Sequence, residues 1–240
     1  MLYTTQGIVL HTIDYSENSS IVKIYTHQFG LSSFIINRIR SKKEKKNAAL
    51  QSLAMVELVC DYHQKKELQK ITEIRNAKPF QSIPFDIVKS SIALFINEII
   101  YRSIHEQEPN ENLFYFLCNT IEMLDNSTEN CVNFHLLFML QFSKYLGFYP
   151  QGIYSEKNIF FDLQEGAFVA NKPVNENFIS PPLTEILSHF LTIKTAEYYT
   201  VKMTNEQRRK LLEKIIAYFH LHLDTMKNIK SHQVLEQVME

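Results

Sequence analysis

Tryptophan is missing altogether, and the chain-breaking residues are scarce: five glycines and seven prolines in 240 residues. A chain so poor in both is neither a linker nor a disordered tail. Cysteine is nearly absent too. Cys60, Cys118 and Cys131 form an odd, scattered set, each beside an apolar neighbour (Val59, Leu117, Val132). That pattern fits buried free thiols in a reducing compartment, not a disulfide framework. No stretch approaches the ~18 consecutive apolar residues a membrane helix requires. The opening MLYTTQGIVLHTI lacks a basic leader region and its apolar run stops at Asp14, so no secretory signal is expected and the cytoplasm is the natural compartment.

Chemical signatures are missing as well. There is no GxxxxGK[ST], no GxGxxG and no GxSxG. His220 and His222 are two apart, which on a helix sends them to nearly opposite sides, whereas a zinc helix uses i, i+4. The other histidines have no cysteine companions at metal spacing. The expectation is a binding protein and not an enzyme, with no catalytic residues, no metal site and no cofactor.

What is there is apolar area and unevenly placed charge. The chain is 45% hydrophobic with 17 Phe and 12 Tyr, enough for a sizeable core in one or two domains. The formal net charge is -1. Residues 1–80 carry 12 Lys and Arg against 7 Asp and Glu, a surplus of +5; residues 81–240 carry 13 against 19, or -6. Such asymmetry points to a polyanion at one end. Most of the surplus sits in NRIRSKKEKK, where Arg38, Arg40, Lys42, Lys43, Lys45 and Lys46 face a single acid, Glu44.

The first 80 residues read as strands over Gln6–Ile13, Ser20–His27, Leu31–Asn37 and Leu53–Tyr62, with period-2 alternation clearest in the second and fourth. Leu68–Arg75 reads as a fifth strand, although Leu68, Ile71 and Ile74 are also spaced for a helix. Five short strands in this length fit an oligonucleotide-binding (OB) barrel, with the basic run in the connection between strands three and four. After Pro79 the period becomes helical: Pro84–Ile104, Glu111–Leu124, Val132–Leu146, Pro181–Ile193, a helix opened by a Thr204/Gln207 capping box and running to about Met226, and Ser231–Val238. Val132–Leu146 is apolar nearly all round and belongs at the centre of its domain. Ile159–Leu163 and Ala167–Ala170 flank Gln164-Glu165-Gly166 as a small hairpin. The fold class is therefore α+β: an OB-fold domain over 1–80 and a mostly helical domain over 81–240, with an insert at about 148–180.

Lysine and arginine clusters neutralise phosphates and gain affinity by releasing counterions. The basic run on a barrel connection is thus a candidate nucleic-acid contact, the alternative being a solvated basic loop. Tyr25, Phe34 and Tyr62 are candidate stacking platforms or core. A second cluster, Arg208, Arg209, Lys210 and Lys214, opens a helix. Arg208 and Arg209 point ~100° apart, so they cannot both share the buried face of Leu211, Leu212 and Ile215.

At this level of detail the sequence resembles the RecO family of bacterial DNA repair and recombination mediators. The resemblance rests on TQGIVLHTIDYSENSSIVKIYTHQFGLSSF at the start, on the basic stretch followed by Leu50-Gln51 and a strand, and on RRKLLEKIIAYFHLHLDTMKNIKSHQVLEQV at the end. It implies an N-terminal OB barrel, binding of single- and double-stranded DNA, and annealing of strands coated by single-strand binding protein. It implies a complex with RecR, contact with the C-terminal tail of single-strand binding protein, indirect help to RecA loading, and a place at the nucleoid. Arg38 and Arg40 are implied as DNA contacts with the lysines behind them, as are Arg208 and Arg209. An acidic, apolar tail calls for an apolar groove with a few cations, and Lys144 and Arg102 are candidates for these. In one respect the chain departs from the family: many members carry a four-cysteine zinc site after the segment that stands here as Leu146–Pro150, and no cysteine follows Cys131. Packing by Phe160, Phe161 and Phe168 is expected to hold the insert in place of zinc. The competing readings are an RNA-binding barrel protein and a protein adaptor without DNA activity.

Overall fold

Alternating apolar side chains become the inside of a closed barrel. In the computed structural model, which describes residues 1–37, 48–105, 107–226 and 229–239, the strands are β1 Leu2–Ser16, β2 Ser19–Thr26, β3 Gly30–Asn37, β4 Met55–Asp61 and β5 Leu68–Lys78. Their order around the barrel is β1-β2-β3-β5-β4, and β4 closes back onto β1. All pairs are antiparallel except β3 with β5. This is the five-stranded OB-fold expected from the sequence. Val9, Val22, Ile24, Phe34, Ile36, Val56, Leu58, Cys60 and Ile71 fill the interior.

β1 is longer than its apolar run because it serves two partners. Leu2–Ile8 pairs with β4 and Gly7–Ser16 with β2, with a register shift between Val9 and His11. Gly7 pairs on both sides, and a Cβ there would collide with Ile24 Cγ2 inside the barrel. β5 is a strand and not a helix: in the strand, Gln69 and Ile71 turn inward together and both backbone edges are paired.

The barrel belongs to a compact unit spanning Met1–Asn126, which also holds two helices that follow it, α1 Ile87–Ser103 and α2 Glu111–Asn126. Asp86 caps α1, accepting from Val88 N at 2.8 Å and Lys89 N at 3.0 Å. Tyr25 is buried against Phe114 of α2, and its hydroxyl donates to Asn110 O at 3.4 Å. With Phe34 inside the barrel, neither ring is a stacking platform.

The second unit, Ser127–Glu240, holds α3 Phe134–Tyr145, β6 Phe160–Asp162, β7 Ala167–Val169, β8 Phe178–Ile179, α4 Leu183–Thr192, α5 Asn205–His222 and α6 Ser231–Val238. α3 is buried nearly all round, as its composition predicts, and packs against α4 and α5. α5 opens with the expected capping box, Thr204 with Gln207, but ends at His222, four residues before the predicted stop. The insert is a three-stranded sheet, β7-β6-β8, one strand more than the hairpin read from sequence.

Aromatic packing anchors that insert. Phe161 and Phe168 are buried edge to face at 5.1 Å, and Phe161 meets Tyr218 of α5 at 5.7 Å. The Tyr218 hydroxyl donates to Phe148 O, and burial raises its pKa. His222 stacks on Phe148, and its Nε2 bonds Leu163 O at 2.9 Å. Phe160 is half-buried against Phe178. Replacing Tyr218 by Phe removes one buried hydrogen bond and orphans a carbonyl, at a cost of about 1–2 kcal/mol. Thermal unfolding should show that loss, and a chelator should leave both proteins' melting temperatures unchanged.

Candidate nucleic-acid interface

Strand alternation decides which cations reach the barrel surface. Residues directly opposite one another share a face. Lys23 of β2 therefore lies in an outward row with His11, Ser33 and Leu68, and Lys70 in the next row with Ile13, Ile21 and Ile35. Lys65 and Lys66 sit on the exposed turn between β4 and β5. Among the described residues these four lysines have no carboxylate within 4.0 Å. The other described lysines and arginines of the unit are engaged. Arg75 binds Glu57 at 2.6 Å, Lys78 binds Glu122 at 2.8 Å and Arg102 binds Glu98 at 3.0 Å. Lys89 is buried, donating to Ser82 Oγ at 2.7 Å and Asp125 O at 3.2 Å.

The sequence-predicted contacts Arg38, Arg40, Lys42, Lys43, Lys45 and Lys46 lie outside the described residues. Their neighbours are placed: Asn37 ends β3 at the surface and β4 resumes at Met55, so the basic segment falls in the connection expected.

In the second unit the two arginines part company, as their angular offset requires. Arg209 is exposed, whereas Arg208 is 8% exposed. Arg208 Nε donates to Asn133 Oδ1 at 2.8 Å and Nη1 to Asn205 Oδ1 at 2.6 Å, and burial lowers its pKa. Both arginines line a cavity of about 300 Å³, together with His135, Leu212, Leu235, Glu236 and Met239. Burial, with the Arg208 charge adding to it, pulls the His135 pKa down to about 3, so this imidazole is neutral. Lys210 pairs with Glu206 at 2.7 Å. Lys214 donates to Glu176 O at 3.3 Å and stands 5.8 Å from the Phe178 ring. Nothing in the local sequence says which arginine goes inside; the packing of α5 on α3 decides it. Lys144 is exposed at the end of α3.

Among the described residues no three His, Cys, Asp or Glu side chains converge as metal ligands. Burial pushes the Cys60 thiol up to about 11, with Asp61 adding to it, and the Cys118 thiol up to about 12. No helix among the described residues is long and apolar enough to cross a membrane.

Two family models cover nearly the whole chain. "Recombination protein O N terminal" matches residues 1–80 and "Recombination protein O C terminal" matches residues 84–231. The chain belongs to the RecO family. A DNA repair protein RecO of Phocaeicola vulgatus is 35% identical over 239 residues, covering 99% of both chains. One from Flavobacterium psychrophilum is 36% identical over 240 residues, again 99% of both. Among solved structures, an Entamoeba histolytica asparaginyl-tRNA synthetase aligns at 10% identity and a TM-score of 0.33, covering 91% of this chain and 56% of that one, too weak a likeness to build on. RecO membership accords with the closed five-stranded barrel described above.

Proposed function

We propose that this RecO-family chain is a DNA repair and recombination mediator that binds single- and double-stranded DNA and anneals complementary strands. The observation that carries this reading is the placement of NRIRSKKEKK on the β3–β4 connection of a closed OB barrel. The mechanism is charge, not bond chemistry. Cations directed at the sugar-phosphate backbone bind any sequence, as annealing demands, and lowering the repulsion between two strands lets bases find their complements. Arg38, Arg40, Lys42, Lys43, Lys45 and Lys46 supply the main contacts, and Arg209, the exposed member of the Arg208-Arg209 pair, adds a second basic point in the helical unit. Family membership supports the finer roles: work at the nucleoid in the cytoplasm, a complex with RecR, contact with the tail of single-strand binding protein, and help to RecA loading.

Strand annealing with and without bound single-strand binding protein, run across salt concentrations, tests this. Annealing should accelerate at low salt, need no divalent metal and persist on coated strands. If all six basic side chains of the segment engage a single strand, they contribute a slope of roughly -4 to log K against log salt. A strong preference for RNA would favour the RNA-binding alternative, and salt-independent or absent DNA affinity would favour a protein adaptor.

A further inference from the structure

In the helical unit one arginine is buried where its charge meets no carboxylate. Arg208 is 8% exposed, and among the described residues no carboxylate lies within 4.0 Å of its guanidinium. Its orientation is built. Asn133 is buried, and its Nδ2 donates to Val201 O at 2.8 Å, which leaves Oδ1 to serve the arginine. Arg208 Nε donates to that Oδ1 at 2.8 Å, and Nη1 donates to Asn205 Oδ1 at 2.6 Å. A guanidinium carries five N–H donors in a rigid fork, so these two bonds fix its plane without exhausting it. Arg208 lines the cavity of about 300 Å³ bordered by α3, α5 and α6.

A buried cation without a counter-charge is costly, and an anion entering the cavity removes that cost. Arg209 is exposed and lines the same cavity, so two guanidinium groups reach it from the start of α5. His135 is neutral there and adds no charge of its own. The space is far larger than one phosphate group and stands at the lower end of small-molecule sites. Leu212, Leu235 and Met239 give it an apolar wall. Two carboxylates line it as well. Glu206 is held by Lys210 at 2.7 Å. Glu236, half-buried on α6, has no cation within 4.0 Å among the described residues and can accept from hydroxyl or amino groups. The complement is a compact molecule with an anionic head, hydroxyl donors and a flat apolar face. A bare anion leaves the apolar wall unused, and a fatty acid offers Glu236 no donor.

We propose that this cavity binds a nucleoside monophosphate, with the phosphate on Arg208 and Arg209, the base against Leu212, Leu235 and Met239, and the ribose hydroxyls donating to Glu236. Nucleotide binding here goes beyond the DNA-binding reading above and shares only Arg209 with it. Arg208 lies too deep for a polymer backbone that passes over the surface.

Isothermal titration of the full chain with adenosine 5′-monophosphate tests this. Saturable binding is expected, with a Kd in the range of roughly 10–100 μM. Adenosine, which lacks the phosphate, and inorganic phosphate, which lacks the rest, should each bind at least about tenfold more weakly. Arg209→Gln should weaken the nucleotide by about ten- to a hundredfold. Arg208→Lys keeps the buried charge but loses the fork, and should weaken it about as much. The melting temperature of each variant checks the fold, and Lys157→Gln, exposed elsewhere on the unit, should bind as wild type does. Reversing the 38–46 charges should remove DNA binding and leave nucleotide binding intact. No nucleotide affinity in a protein that still binds DNA overturns the cavity and leaves the functional reading standing; nucleotide affinity without DNA affinity does the reverse. Nucleotide binding that both arginine variants retain in full also overturns the proposal. So does inorganic phosphate binding as tightly as the nucleotide, which marks a free-anion site, or an acidic peptide with an apolar end binding where the nucleotide does not, which gives the cavity to a protein.

Discussion

Reversing Arg38, Arg40, Lys42 and Lys43 to Glu weakens single-stranded DNA binding at low salt by about a thousandfold or more, with the melting temperature unchanged. The size follows from counterion release. Each phosphate neutralised on a single strand contributes about 0.7 to the salt slope, so four lost contacts remove most of what the segment supplies. Four glutamates then repel the backbone that the cations attracted. The fold survives because the barrel's interior is furnished by residues of the described strands, among them Val9, Val22, Phe34, Val56 and Leu58. Anisotropy titrations at two salt concentrations, with thermal melts alongside, measure both halves of the prediction. Unchanged affinity at low salt sinks the assignment of the basic segment as the main contact. A lost fold would place structural work in a segment read here as a pure contact.

How much of this was legible beforehand depends on whether the deciding interaction was local. Period-2 alternation in β2 and β4 is a local signal, and both strands stand where the sequence places them. β5 was ambiguous because Leu68, Ile71 and Ile74 suit either period, and its identity comes from pairing with β3 and β4. The N-terminal extension of β1 has exposed side chains at Leu2 and Thr4 and carries no pattern; its backbone bonds to β4, about 55 residues away in sequence, create it. The capping box at Thr204 was readable because both members lie within one turn. The early stop of α5 was not: after Leu223 turns extended, Met226 is still buried, so the apolar run continues past the helix. At the candidate site, the basic segment was visible as composition. Which of Arg208 and Arg209 turns inward was not, because Asn133, which holds the Arg208 guanidinium, lies 75 residues away in sequence.

Asp125 is the strongest case of a determinant hidden from local reading, and its removal should damage the first unit about as much as truncating a core aromatic. It ends α2, yet its carboxylate organises the chain leaving the barrel: Oδ2 accepts from Gln81 N at 2.7 Å, and Oδ1 from Ser82 N and Ile83 N, each at 2.9 Å. Ser82 Oγ donates to Asp125 O, and Lys89 Nζ reaches that same oxygen at 3.2 Å. Asp125→Ala orphans three backbone donors around a mostly buried site, at about 1–3 kcal/mol each, so a loss of roughly 4 kcal/mol is expected. Burial by itself would raise this carboxyl's pKa, but the bonds from Ile83, Gln81 and Ser82 outweigh it, and the group is held below its ordinary 3.8. A carboxyl whose folded pKa lies below its unfolded one stabilises the fold fully above the unfolded value, here above about pH 4. That contribution disappears as pH falls through the folded value. Asp125→Asn keeps one acceptor and does not titrate, so it should be less stable than wild type at pH 7, and the gap should narrow toward pH 3. Denaturant unfolding of the three proteins at both pH values measures this. A gap that stays constant from pH 7 to pH 3 would show that the charge of Asp125 is not what fixes residues 81–83.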